Sequence, residues 1–210
     1  MKLEDVEIKN SVLIIVDVQN DFFHEKGGMG SKNISVGRGK NDVFEVQKVV
    51  LEIMDIISHA RRLQVPVIFI QSLYSEWTDS PSYKKRGLTG GADYRRHCRP
   101  GTWGSDFYRV KPQPNDYVVI KHRHSAFIDT DLELVLRSRG IETIVLTGIA
   151  TNVCVESKRA RVSAFQYRDL FWRGCNLKRG CKGLGNYNST DLMLLVISRI
   201  LSDFIEYFKY

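Results

Sequence analysis

Four short apolar runs constrain this chain more than any other feature in it. Val12-Leu13-Ile14-Ile15-Val16 ends at Asp17, and Val65-Pro66-Val67-Ile68-Phe69-Ile70 forms the second run. Tyr117-Val118-Val119-Ile120 ends at Lys121, and Thr143-Ile144-Val145-Leu146 leads into Thr147-Gly148-Ile149-Ala150-Thr151-Asn152-Val153-Cys154. Runs that are continuously apolar, short and rich in β-branched residues suit strands buried on both faces, the situation of a parallel sheet. Between the first two runs, Val43, Val46, Val49, Ile53, Ile56, Ile57 and Ala60 recur at helical spacing, with Asp42 placed to cap the helix. Leu132, Val135 and Leu136 mark a shorter helix that Gly140 closes. A final helix is predicted from Asp191 to Phe208. This alternation predicts an α/β fold, a three-layer α/β/α sandwich around a mostly parallel, Rossmann-like sheet. Residues 72–112 are polar, aromatic and weakly periodic, so a long loop is expected there, and such loops are often functional.

Composition narrows the class. With 210 residues, 43% of them apolar, the chain is long enough to bury one proper core, and a single domain is expected. No apolar run approaches the roughly 20 residues that a membrane helix needs. The first ten residues, MKLEDVEIKN, carry acids where a signal peptide needs an apolar stretch, which predicts a cytoplasmic protein. Cys98, Cys154, Cys175 and Cys181 are then expected as free thiols. The net charge of +7 is local: residues 158–182 hold eight basic residues and one acid, so the rest of the chain balances to zero. A nucleic-acid partner would have to rest on that segment alone, and a basic stretch on an enzyme is more often a solvated face. Cys175 and Cys181 are spaced poorly for zinc, and one pair cannot fill a zinc site.

Asp17, Lys121 and Cys154 stand at or just beyond the carboxyl ends of predicted strands, where parallel α/β sheets bind ligands. Cys154 falls where a following helix should begin, and backbone N–H groups there favour a thiolate. A lysine ammonium beside it would favour the thiolate further, and Asp17 could take the thiol proton. Taken singly, each has an ordinary reading: a small core cysteine, a turn-forming aspartate, a solvated lysine.

The stretches LIIVDVQNDF (13–22), VVIKHRHSAF (118–127) and LRSRGIETIVLTGIATNVCVES (136–157) resemble the isochorismatase-like cysteine hydrolases, and most closely the ureidoacrylate and N-carbamoyl amidohydrolases. The resemblance runs from about residue 11 to 157. It implies a catalytic triad of Asp17, Lys121 and Cys154, with backbone N–H groups of Ala150 and Cys154 as oxyanion hole. It implies cleavage of a C–N bond in a small amide or ureido substrate through a thioester-type intermediate, without a cofactor, in a homo-dimer or homo-tetramer. The rival readings are a catalytically impaired binding protein, an ether hydrolase of the true isochorismatase kind, and a nicotinamidase.

Nicotinamidases of the family hold a divalent ion with an Asp-x-His motif after the second strand. Here that region reads FIQSLYSEWTDSPSY (69–83), without histidine, so no metal is expected. Phe22, Tyr74, Trp103 and His124 are expected near the substrate, since aromatic walls with few polar tips suit a small planar group. After Ser157 the resemblance breaks. Lys158-Arg159-Ala160-Arg161 and WRGCNLKRGCKG (172–183) replace the family's helix and apolar strand, so the last strand is expected to be missing or unrecognisable. The abruptness fits either divergence or a shifted reading frame.

Overall fold

A computed structural model describes residues 8–28, 40–89, 97–149 and 168–175. Ala150, Cys154, most of the basic segment and the predicted final helix lie outside the described residues. The elements are β1 (Ser11–Val16), α1 (Asn20–Phe23), α2 (Lys40–Arg62), β2 (Val67–Ser72), α3 (Pro81–Thr89), β3 (Tyr117–Lys121), α4 (Leu132–Ser138), β4 (Thr143–Ile149) and β5 (Arg168–Cys175). Their strands form one sheet in the order β3-β2-β1-β4-β5. Every neighbouring pair is parallel. No helix among the described residues is long and apolar enough to cross a membrane.

The layering follows from the two-residue period of β1. Leu13 and Ile15 face one way and pack with Val50, Ile53, Ile57 and Ala60 of α2. Val12, Ile14 and Val16 face the other way and pack with Leu132 and Leu136 of α4. All six residues of β1 are buried, which is why the run is continuously apolar rather than alternating. The expected three-layer sandwich is therefore present. Gly140, at φ +61, ends α4 by donating its N–H to Arg137 O, as its place in the sequence predicts.

Two expectations are corrected. The region after residue 168 does form a strand: β5 pairs with β4 from Arg168 opposite Thr143 to Cys175 opposite Ile149. Ladder hydrogen bonds are made by the backbone, so a segment with a weak apolar signature can still close the free edge of β4. The loop 72–112 also contains α3. Its start is encoded by Ser80-Pro81: the Ser80 hydroxyl accepts the N–H of Tyr83 at 3.2 Å, and proline suits the first helical position.

The remaining long loop is tied down by Asp21. Its Oδ1 accepts the N–H of Gly28 at 2.8 Å, and its Oδ2 accepts the N–H of Cys98 at 2.7 Å. One buried carboxylate thus fastens the loop at Gly28 to the loop at Cys98, the latter 77 residues from Asp21 in sequence. His97 packs edge-on against Phe22, with Nδ1 3.8 Å from Asp21 Oδ2. Burial pushes the His97 imidazole down to about 4, against the opposing pull of the Asp21 carboxylate. The unfolded chain protonates this residue near 6.5 while the folded one stays neutral. Between those values the unfolded state binds the extra proton, so stability is lost as pH falls from about 6.5 towards about 4. Urea unfolding at several pH values should therefore show the wild-type advantage over His97→Gln shrinking from pH 7 to pH 4.5. A constant gap would contradict the buried neutral state.

Candidate active site

The chemistry-bearing residues gather at the carboxyl edge of the sheet. Asp17 directly follows β1, and Lys121 is the last residue of β3. Both are 0% exposed. Strand β2 lies between them in the sheet, so the two backbones stand about 10 Å apart at the usual strand spacing. The gap is bridged by side chains. Lys121 sits in register with Ser72, a residue small enough to let the ammonium pass across the end of β2. Its Nζ reaches 2.8 Å from Asp17 Oδ2. Ser72 Oγ donates to the other oxygen, Asp17 Oδ1, at 3.0 Å. Nζ also donates to the carbonyl of Arg123 at 3.2 Å.

The two oxygens of Asp17 are therefore not equivalent. Oδ1 is held by a hydroxyl. Oδ2 faces the ammonium and accepts no well-aligned hydrogen bond among the described residues. The backbone of Asp17 is left-handed at φ 54, a conformation that costs a non-glycine residue energy and is held only by its surroundings. Its N–H donates to Ile70 O at 3.0 Å, and its carbonyl accepts the N–H of Gln19 at 2.9 Å.

Gln19 is the hub behind the pair. Its side-chain amide donates to Ser72 O at 2.9 Å and Ser105 O at 2.8 Å, while its oxygen accepts the N–H of Ser72 at 2.8 Å. Gln19 and Ser72 were not among the predicted site residues. The signal that could have found Gln19 is its polarity, two residues beyond a buried strand end. On the other flank of β1, Gly148 has φ +119, and a Cβ there would lie 2.1 Å from Val16 O. Only glycine lets β4 run this close to β1 on its way towards the segment that carries Ala150 and Cys154, which itself lies outside the described residues.

The four predicted substrate contacts divide. Tyr74 and His124 line a cavity of about 210 Å³ beyond the ends of β2 and β3, with His122, Arg123 and Tyr83. Tyr74 stacks on Tyr83, centroids 4.6 Å apart. His122 Nδ1 lies 2.7 Å from Leu73 O, so this nitrogen carries the proton and fixes the ring. Phe22 instead packs on His97 and the core, and Trp103 is half exposed with its edge against His24. Neither is among the residues lining that cavity.

Asp21, His97 and Cys98 are the one grouping of metal-ligating type among the described residues, all three buried. Both oxygens of Asp21 already serve backbone N–H groups. The closing of two loops accounts for this carboxylate without an ion.

Comparison with known proteins agrees with this fold. Residues 11–165 match the Isochorismatase domain. The chain is 34% identical over 164 residues to the ureidoacrylate amidohydrolase RutB of Pseudomonas savastanoi pv. phaseolicola, a match covering 70% of this chain and 62% of that protein. RutB of Yersinia enterocolitica is 30% identical over 174 residues, 75% of this chain and 70% of its own length. Thus the chain spans less than two thirds of the Pseudomonas relative. Among solved structures, N-carbamoylsarcosine amidase from Thermoplasma acidophilum superposes with a TM-score of 0.65 at 26% identity, over 90% of this chain and 93% of its own. An isochorismatase-like hydrolase from Alkaliphilus metalliredigens shares the fold, with a TM-score of 0.67 at 23% identity over 95% of this chain and all of its own. The protein is a member of the isochorismatase-domain family, and Asp17 and Lys121 meet at the carboxyl edge of its sheet.

Proposed function

We propose that the protein is a cysteine-dependent hydrolase that cleaves a C–N bond in a small amide or ureido substrate. The observation that carries this reading is the Asp17–Lys121 pair. Two charges at zero exposure are a poor way to build stability, because desolvation consumes most of their attraction. A pair of well-packed apolar residues would hold the same strands together at no loss. That a buried carboxylate also sits on left-handed backbone makes a chemical role the better account.

In this reading the Cys154 thiol gives its proton to Asp17 Oδ2, the oxygen that accepts no well-aligned hydrogen bond among the described residues. Lys121 stabilises the thiolate. Sulfur attacks the carbonyl carbon, and the oxyanion is received by the N–H groups of Ala150 and Cys154. Asp17 returns the proton to the leaving nitrogen as the C–N bond breaks. Water then attacks the acyl- or carbamoyl-thioester, and the thiol is restored. Losing one oxyanion donor in such a site typically lowers the rate about 100- to 1000-fold. The RutB relatives and the N-carbamoylsarcosine amidase support an amide or ureido substrate by the activities in their names. The cavity next to Lys121 supports a small one. We also propose that the protein acts in the cytoplasm as a homo-oligomer.

Release of ammonia or amine should be screened over ureido acids, carbamoyl amino acids and nicotinamide. A hit should be abolished in Cys154→Ala and reduced by at least about a thousandfold in Asp17→Asn, with the fold intact by circular dichroism. Undiminished turnover by Cys154→Ala would contradict the assignment of the nucleophile. The pair itself has a stability signature. Asp17→Asn or Lys121→Met alone should cost about 3–5 kcal/mol in urea unfolding, because each strands a buried charge. The double variant should lose clearly less than the sum of the two. Additive losses would show that the two charges are not coupled.

A further inference from the structure

The cavity beyond Lys121 carries a charge that the hydrolytic chemistry does not use. Arg123 lines it, two residues past the catalytic lysine, half-buried. One nitrogen of its guanidinium is anchored: Nη1 donates to Thr78 O at 2.8 Å and to His122 O at 2.7 Å. Nε and Nη2 make no hydrogen bond among the described residues, and no carboxylate there pairs with Arg123. The acids in the described ion pairs of arginine are committed elsewhere, Asp116 to Arg61, Asp79 to Arg99 and Glu133 to Arg137. None of the described residues lining the cavity is acidic. A guanidinium fixed at one corner, with Nε and Nη2 left over, offers two parallel donors that match a carboxylate.

The rest of the lining fits the other end of such a molecule. His122 carries its proton on Nδ1 towards Leu73 O, so a neutral ring offers Nε2 as an acceptor for N–H groups. The Tyr74–Tyr83 stack supplies a flat wall. Burial holds the Tyr83 phenol protonated, a neutral donor that adds no negative charge. A volume of about 210 Å³ is below the roughly 300–1,000 Å³ of drug-sized pockets, too small for a nucleotide. The backbone carbonyl of Arg123 accepts the Lys121 ammonium, which sets this receptor directly beside the reacting groups.

We infer that Arg123 is the specificity residue of this site: it binds the carboxylate of a small ureido or amido acid and so favours acids over neutral amides. This rests on the amide-hydrolase reading and names the substrate class within it. The test pairs 3-ureidopropionate with its neutral methyl ester, on wild type, Arg123→Gln and Arg123→Lys. Binding is measured by calorimetry and turnover by product release. Wild type should bind the acid more tightly than the ester. Arg123→Gln should raise Kd and KM for the acid about 10- to 100-fold, with kcat changed by less than about threefold, and leave the ester within about threefold. Arg123→Lys should recover part of the acid binding, which a folding defect would not allow. Equal losses on acid and ester, no loss on the acid, or no binding of the acid by wild type would overturn the inference. Binding of the acid that depends on Arg123, with no turnover of either compound, would keep it and remove the hydrolase reading instead.

Discussion

The site is organised by one contact, the ammonium of Lys121 laid across the end of β2 onto the carboxylate of Asp17. It joins two strands that are not neighbours in the sheet. It therefore makes demands on everything around it. Ser72 must be small and must bond Oδ1, Gln19 must hold the end of β2, and Asp17 must accept a left-handed backbone. Each of these is costly or restrictive by itself. Together they hold a buried carboxylate with one oxygen on a hydroxyl and the other on an ammonium, the arrangement that the proposed general base would use.

The two cores serve this arrangement from either face. The α2 side and the α4 side both grip β1, which fixes where its last residue emerges. Side chains locked by packing on both faces position a reacting group more firmly than a loop can. On the edge of β4 facing β1, Gly148 removes the one Cβ that would hold the strands apart. The segment that carries the predicted nucleophile follows immediately in the chain. The loop side is fastened differently, by one carboxylate that receives two backbone amides. Tyr74, which lines the cavity, donates its N–H to Cys98 O at 3.0 Å and so shares that anchor.

Much of this was legible in the residues, for reasons that differ from place to place. Asp17 and Lys121 stood out because a continuous apolar run says where a buried strand ends, and the first polar residue after it must face the sheet's edge. Their contact was legible only through the family resemblance, since strand order cannot be read from four runs. Strand β5 was missed because Leu170-Phe171-Trp172 is flanked by Arg168, Asp169 and Arg173, a pattern neither continuously apolar nor alternating. Among the described residues it has one neighbour, β4, and a strand so placed can tolerate this. Helix α3 was missed although Ser80-Pro81 announced it, because its body lacks an apolar face. The aromatic residues show the limit of residue type as evidence. Tyr74 reached the cavity and Phe22 the core, and which does which is decided by packing across loops distant in sequence. Arg123 escaped notice because one arginine among many carries no signal until its partners are counted.

The central claim is that the carboxylate and ammonium at the sheet edge serve a sulfur nucleophile. Rapid acid quench of the enzyme during turnover of an accepted ureido acid, followed by peptide mass spectrometry, tests it directly. A transient acyl or carbamoyl adduct is expected on the peptide that contains Cys154, formed and lost at rates compatible with turnover, and missing in Asp17→Asn. Turnover that proceeds with no adduct on Cys154, or that survives complete alkylation of that thiol, would contradict it.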